Sequence, residues 1–198
     1  MRSWSARGAK GSKLGPSITF GRRESGGGVV ALDLEALPLG DDAPRVVNAV
    51  VEIPVGSRNK YEWFPGLGLI GRDRVLPGNV RYPVEYGFLP STNYQGDPFD
   101  VLVAAYEPTF PGCVIKARPV GAMHLTDTEG EEHKILAVPD DDPRFDAIET
   151  IDDFPEQNLH EIEQFLEVYK RLEGDERAEV HGWLSLEETY DLIRKHAT

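Results

Sequence analysis

The stretch Gln95-Gly96-Asp97-Pro98-Phe99-Asp100 leads directly into the apolar run Val101-Leu102-Val103-Ala104-Ala105. Glycine and proline favour a tight bend, and a short apolar run after a bend is typical of a buried strand. This pattern predicts the carboxylates of Asp97 and Asp100 at the mouth of that strand, where they could share one cation. Because Gly-Asp-Pro is also ordinary turn chemistry, these six residues alone leave a simple turn and a metal site as equal alternatives.

The composition narrows the classes of partner. A length of 198 residues suits one domain with a sizeable core, and the formal net charge of −13 favours cations and disfavours nucleic acid over most of the surface. No apolar run is long enough to cross a bilayer, so we expect no membrane partner. The single cysteine, Cys113, permits no intramolecular disulfide and is interpreted as a core residue of a strand.

The first 30 residues differ from the rest of the chain. They are rich in Gly, Ser and basic residues, and Glu24 is their first acidic residue. Such a segment buries too little apolar surface to offset its ordering entropy, so we predict a disordered extension over 1–30 and a folded domain over 31–198. An Arg- and Ser-rich start also resembles an organellar transit peptide, which leaves organellar targeting open beside a cytoplasmic location.

Charged residues occur inside several predicted strands. The strand predicted over Val46–Ile53 contains Glu52, which lies either at a solvated edge or in a polar cavity. The strand predicted over 59–63 places Lys60 and Glu62 on one face, either as a surface ion pair or as an anion-holding lysine beside a metal-binding carboxylate.

A hairpin predicted at Gly66–Gly71 leads to a strand over 72–76 with Arg72 and Arg74 on one face. The later segment Asp127–Glu132 is a second acidic turn before an apolar run, and alone it is equally compatible with a solvated hairpin tip.

Helices are predicted only near the C-terminus. Asp152, Asp153 and Pro155 favour a helix start, apolar residues follow at helical spacing to Leu172, and Gly174 is placed to end this helix. The stretch 185–188 matches a capping box and predicts a second helix. Many short strands followed by two helices predict an α+β fold in which a small β-barrel has helices packed outside it.

Taken together, these features resemble the soluble family I inorganic pyrophosphatases in order and approximate spacing from Leu32 to the C-terminus. The resemblance rests on Glu52, Lys60-Tyr61-Glu62, Arg74, Tyr82, Tyr86, Gly96-Asp97-Pro98-Phe99-Asp100, Asp127, Lys134 and Tyr169-Lys170. It implies a five-stranded OB-like barrel, hydrolysis of pyrophosphate to two phosphates by a metal-activated water, several Mg²⁺ ions per active site, and a cytoplasmic homo-oligomer, commonly a hexamer in prokaryotes.

The same resemblance implies roles for individual residues. The metal-binding positions would be Asp97, Asp100, Asp127 and Glu132, with Glu52 and Glu62 acting directly or through water. Asp97 would also accept the proton of the attacking water, and it forms the implied catalytic set together with Lys60, Arg74 and Tyr86. The phosphate-binding side chains would be Lys60, Arg74, Tyr86, Lys134, Tyr169 and Lys170, with Tyr82 as support.

Three positions depart from the family pattern. Gln95 and Glu132 stand where the family usually has aspartate, and Thr128 stands where relatives vary. Gln95 removes one negative charge, although its amide oxygen can still ligate a metal or hold a metal-bound water. Two hypotheses remain at this point: an active enzyme with weakened metal binding, and a catalytically weakened or inactive binding or scaffolding module. A nucleic-acid-binding barrel, suggested by fold alone, is disfavoured by the charge.

Overall fold

The structure is a computed structural model that describes residues 33–128, 130–172, 174 and 179–198. The predicted disordered extension over 1–30 lies outside these residues, so that prediction and the domain boundary stay predictions. The elements are β1 (Val47–Ile53), β2 (Asn59–Phe64), β3 (Leu69–Val75), β4 (Glu85–Tyr94), β5 (Asp97–Val103), β6 (Val114–Asp127), β7 (Gly130–Pro139), α1 (Glu156–Leu172), β8 (Glu179–Leu184) and α2 (Leu186–His196). Neither α1 nor α2 is long and apolar enough to span a membrane.

Five strands close into a ring. The main sheet has the order β1-β4-β5-β7-β6-β8, and a further pairing of β1 with β6 closes the first five strands on themselves. Strands β5 and β7 run parallel, whereas the other pairings are antiparallel. Strands β2 and β3 form a separate hairpin. The predicted five-stranded architecture with helices outside is therefore confirmed. The prediction that all strands precede the helices is wrong, because β8 lies between α1 and α2.

Alternating side chains give the sheet two apolar faces. In β5, Phe99, Val101 and Val103 join the buried cluster that includes Ile193 of α2. Leu102, between them in sequence, joins the cluster that packs against Ile162 and other residues of α1. Successive residues of a ring strand thus alternate between the face that packs against α1 and the face that packs against α2.

The two helices largely follow the sequence signals. Gly174 adopts a φ of 96° and its amide bonds the carbonyl of Arg171, which ends α1 as predicted. Ser185 and Glu188 form the predicted capping box of α2. The prediction that Asp152 and Asp153 lie at the start of α1 is wrong, because both belong to a separate 3-10 turn over Ile151–Asp153.

Two strand predictions also need correction. The bend before β5 consists of Gln95 and Gly96, which have φ values of 56° and 104°, whereas Asp97 and Pro98 already belong to the strand. The turn is shorter than predicted because these two left-handed residues reverse the chain by themselves. Cys113 lies just before β6 and is only partly buried, so its predicted place in a core strand is wrong.

Candidate active site

The ammonium group of Lys134 is the centre of a buried polar network. Its Nζ donates to Asp100 Oδ2 at 2.7 Å, to Glu132 Oε1 at 2.7 Å and to the Tyr86 hydroxyl at 3.0 Å. The Tyr86 hydroxyl in turn donates to Asp100 Oδ2 at 2.6 Å. Lys134 is 2% exposed, so water contributes almost nothing to its solvation. The three strands β4, β5 and β7 meet at this network because they are neighbours in the ring.

Burial and charge oppose each other within this network. Burial would lower the pKa of Lys134, but Asp100 and Glu132 outweigh it and raise that pKa well above its usual value. Burial would likewise raise the pKa of Asp100, but Lys134 outweighs it and lowers that pKa. The pKa of Tyr86 is raised by burial first and by the charge of Asp100 second. Lys134 and Asp100 are therefore an ion pair and Tyr86 is neutral at physiological pH.

A second group of charges lies on β1 and on the β2–β3 hairpin. Lys60 Nζ donates to Glu62 Oε1 at 2.7 Å, which confirms that both side chains share a face. Glu52 Oε1 accepts the Trp63 amide at 2.6 Å, so Glu52 lines a polar interior and is not at a solvated edge. Burial, followed by the charges of Asp100 and Glu62, raises the pKa of Glu52 to about 8.

A β-bulge places an unexpected carboxylate beside this group. Lys60 pairs with Arg74 and Tyr61 pairs with Arg72, which leaves Asp73 as the extra residue of β3. Asp73 ion-pairs with Arg74 and lies 3.8 Å from Lys60 Nζ. The bulge also breaks the alternation that predicted Arg72 and Arg74 on one face. Sequence reasoning missed Asp73 because nothing in Arg72-Asp73-Arg74 marks a bulge.

Aromatic rings connect β4 to α1. Tyr82 contacts Tyr86 with ring centroids 5.7 Å apart and contacts Tyr169 at 6.4 Å. The Tyr169 hydroxyl accepts a 3.4 Å bond from Arg74, and its neighbour Lys170 ion-pairs with Asp127 at the end of β6. The structure thus brings Arg74, Tyr169, Lys170 and Asp127 to the α1 side of the sheet, where Lys134 also lies.

Gln95 lies in the turn before β5, and Asp97 is the first residue of β5. The charge of Asp97 acts on Glu35, whose pKa is raised first by burial and then by Asp33 and Asp97. Gln95 is exposed, and its Nε2 donates to the Glu131 carbonyl at 2.9 Å. Its side-chain nitrogen therefore braces the β6–β7 hairpin. Sequence reasoning missed Glu35, which precedes every motif used to predict the site.

Four of the seven predicted metal-binding residues contact lysines. Asp100 and Glu132 contact Lys134, Asp127 contacts Lys170, and Glu62 contacts Lys60. No three His, Cys, Asp or Glu side chains of the described residues are grouped so that they could hold an ion as they lie. The donor set nevertheless fits a hard divalent cation, because it consists of carboxylates, and Asp100 and Glu132 keep 29% and 26% of their side-chain surface exposed.

Comparisons with known proteins identify the family. A family model described as inorganic pyrophosphatase matches residues 49–198. The inorganic pyrophosphatase of Haloferax volcanii is 47% identical over 164 residues, covering 82% of this chain and 92% of its own length. The crystal structure of inorganic pyrophosphatase from Thermus thermophilus is similar with a TM-score of 0.79 at 44% identity, covering 82% of this chain and 95% of that chain.

A solved structure with lower sequence identity supports the same family. The crystal structure of an inorganic pyrophosphatase from Neisseria gonorrhoeae has a TM-score of 0.77 at 34% identity, covering 83% of this chain and 96% of that chain. The matches span nearly the full length of these proteins. The chain belongs to the inorganic pyrophosphatase family.

Proposed function

We propose that this chain hydrolyses inorganic pyrophosphate to two phosphates with a metal-activated water, and that Mg²⁺ is the metal. The observation that carries the site assignment is the network of Lys134, a fully buried cation that is in contact with two half-buried carboxylates and a tyrosine hydroxyl. Pyrophosphate is a polyanion, so its hydrolysis requires cations on its oxygens and stabilisation of the departing phosphate. A metal ion, when bound, supplies a water of lowered pKa and neutralises phosphate charge.

The cationic and hydroxyl side chains are assigned to the phosphates. Lys60, Arg74, Lys134 and Lys170 carry the positive charge, and the Tyr86 and Tyr169 hydroxyls supply hydrogen bonds. Each cation has a carboxylate neighbour, and the arginine offers a planar fork that suits a phosphate group. The aromatic contacts of Tyr82 with Tyr86 and Tyr169 hold the two hydroxyls in place.

The carboxylates are assigned to the metal. Asp97, Asp100, Asp127 and Glu132 would bind it directly, and Glu52 and Glu62 would bind directly or through water. We assign Gln95 a weaker role, because its Nε2 donates to the Glu131 carbonyl and its Oε1 is the atom that could ligate a metal. Asp97 is assigned to accept the proton of the attacking water.

The alternative of an inactive binding or scaffolding module is not favoured. The relatives that match most of the chain carry the name inorganic pyrophosphatase, and the phosphate-directed residues are all present. Neither the Gln95 nor the Glu132 substitution removes a positive charge from the site. We therefore keep enzymatic hydrolysis as the function and expect the substitutions to act on metal affinity.

The test is phosphate release from pyrophosphate by purified protein over a series of Mg²⁺ concentrations. We expect release that requires Mg²⁺ and that falls at least about 100-fold in Arg74→Met, because one phosphate-binding cation is lost. Arg81→Met is a matched control, because Arg81 is exposed and its guanidinium donates to the Gly56 carbonyl at 2.9 Å. Failure to release phosphate at any Mg²⁺ concentration would refute the proposal.

We also propose a homo-oligomer, with a hexamer favoured, and a cytoplasmic location. Support comes from the family resemblance of the sequence. Exposed apolar side chains such as Leu67 at 52% and Phe110 at 65% are compatible with contact between subunits. Sedimentation velocity distinguishes a hexamer from a monomer directly.

A further inference from the structure

Strand β4 leaves its regular pairing with β5 near the turn that joins the two strands. Regular pairing ends at Leu89 and Phe99, and residues 90–93 of β4 then lie opposite a single residue of β5, Pro98. Proline has no backbone N–H and cannot donate to a neighbouring strand. The extra residues form a bulge in β4, and a bulge bends its strand and increases the local twist.

The hydroxyl of Thr92 fills the gap that this bulge leaves. Thr92 is 7% exposed, and its Oγ1 accepts the Phe99 amide at 2.8 Å and donates to the Leu89 carbonyl at 2.6 Å. Leu89 and Phe99 are partners in the register, so the hydroxyl bridges the two strands at their last regular pair. A hydroxyl can make this bridge because it both donates and accepts. Without it, a buried N–H and a buried C=O would each lose a partner, which is costly.

The amide that Thr92 holds lies between two of the proposed metal ligands. Phe99 stands between Asp97 and Asp100 in β5, and its side chain is fully buried in the cluster that includes Ile193. Phe99 is therefore fixed by core packing of its side chain and by Thr92 at its backbone. A shift of the Phe99 backbone would change the separation of the two carboxylates, because both are attached to the same short piece of strand.

A second contact of the bulge reaches the turn before β5. Asn93 Oδ1 accepts the Gly96 amide at 3.1 Å, and Gly96 directly precedes Asp97. The Asn93 carbonyl lies 2.9 Å from His196 Nδ1, which connects the bulge to the end of α2. The bulge thus holds the chain both before and after Pro98.

We propose that Thr92 is a positioning residue for the metal site, and that its hydroxyl sets the separation of the Asp97 and Asp100 carboxylates. This inference rests on the proposed function, which assigns both carboxylates to Mg²⁺. Mg²⁺ demands near-ideal octahedral geometry, and functional sites tolerate displacements of only about 0.5 Å. Groups that orient metal ligands typically contribute about 10–100-fold to metal affinity, and Thr92 does so through the backbone of β5.

The test compares Mg²⁺ binding by Thr92→Val and Thr92→Ser, measured by isothermal titration calorimetry without pyrophosphate. Valine keeps the branched shape and removes the hydroxyl, whereas serine keeps the hydroxyl. We expect Thr92→Val to weaken Mg²⁺ binding about tenfold and Thr92→Ser to bind within about twofold of wild type. In phosphate release, Thr92→Val should raise the half-saturating Mg²⁺ concentration about tenfold and keep kcat at saturating Mg²⁺ within about threefold of wild type, because bound metal restores the geometry.

Thr189→Val is the matched control. Thr189 is fully buried, and its Oγ1 donates to the Ser185 carbonyl at 2.8 Å within α2. Loss of this hydroxyl should lower the free energy of unfolding and leave Mg²⁺ affinity unchanged. The proposal would be overturned by an unchanged affinity in Thr92→Val, by an equal loss of affinity in Thr189→Val, or by a loss of affinity in Thr92→Ser.

A measurement on the wild-type protein needs no variant to fold. Because coupling between Mg²⁺ binding and the Thr92 bridge is reciprocal, Mg²⁺ should slow hydrogen exchange of the Phe99 amide about tenfold more than that of the Thr189 amide. Equal slowing of the two amides would overturn the proposal. Phosphate release by wild-type protein reports on the proposed function separately: an active wild type whose Mg²⁺ affinity survives in Thr92→Val would refute this inference and leave the function standing.

Discussion

Replacing Lys134 by methionine tests the buried network most directly. The variant keeps the length and apolar stem of the side chain but removes an ammonium that contacts Asp100 and Glu132 at 2.7 Å each. At an effective dielectric constant of about 20, each pair gives about 6 kcal/mol of Coulomb attraction, much of which offsets the cost of burying the ions. Removing one partner of a buried pair typically costs about 3–5 kcal/mol.

Partial hydration reduces the expected loss. Asp100 and Glu132 keep 29% and 26% of their side-chain surface exposed, so water stabilises them once Lys134 is gone. We therefore expect Lys134→Met to lower the free energy of unfolding by about 2–3 kcal/mol and the melting temperature by about 4–12 °C. Unfolding in urea with a chelator present, followed by tryptophan fluorescence, measures the first quantity. Lys116→Met is the control, because Lys116 is exposed.

The stability lost in Lys134→Met should depend on pH. The lowered pKa of Asp100 gives wild-type stability that is present above its unfolded value of 3.8 and lost as pH falls through the folded pKa. The raised pKa of Lys134 gives stability that is present below 10.5 and lost as pH rises through its folded pKa. The difference between wild type and variant should thus be largest between these values. A difference below about 0.5 kcal/mol at neutral pH, or one undiminished near pH 3, would refute the ion-pair interpretation.

Three further predictions concern single carboxylate or amide positions. Asp97→Asn should lower phosphate release by about 100-fold or more if Asp97 accepts the proton of water, and near-wild-type rates would contradict that role. Gln95→Asp should lower the half-saturating Mg²⁺ concentration for phosphate release by about fivefold. The control Gln164→Asp, on the exposed face of α1, should leave this concentration unchanged. Equal changes in the two variants would show that the added negative charge acts generally and not at the site. The free energy of unfolding of Glu52→Gln, measured without metal, should exceed that of wild type by an amount that grows to about 1–2 kcal/mol as pH rises from 5 to 9. The reason is that the Glu52 pKa is raised to about 8, so ionisation of Glu52 destabilises the folded wild-type protein. Urea titrations at several pH values check this last prediction, and a pH-independent difference would contradict it.

The sequence predicted those parts of the fold and of the site that depend on local sequence patterns. Strand alternation placed Lys60 and Glu62 on one face, and the capping pattern at Ser185 located α2. The sequence did not predict features that depend on how one strand pairs with another. The bulge at Asp73 arises from the register of β3 against β2, and β8 forms because β6 offers an edge to the short segment 179–184. Neither feature leaves a signal within its own segment, since the bulge depends on the register against β2 and β8 depends on the edge of β6, a strand distant in sequence.

The position of Lys134 links the two halves of the proposed chemistry. A lysine ammonium has three N–H donors, and those of Lys134 are directed at Asp100, Glu132 and Tyr86. The same N–H groups cannot bind a phosphate oxygen while both carboxylates hold them. Asp100 and Glu132 would hold a divalent cation that neutralises their charge, and the N–H groups of Lys134 would then be available to a phosphate oxygen. Metal and pyrophosphate should therefore each raise the affinity for the other, because coupling between two ligands is reciprocal. An acidic protein can bind a polyanion in this way, since its carboxylates first collect the cations that the substrate requires.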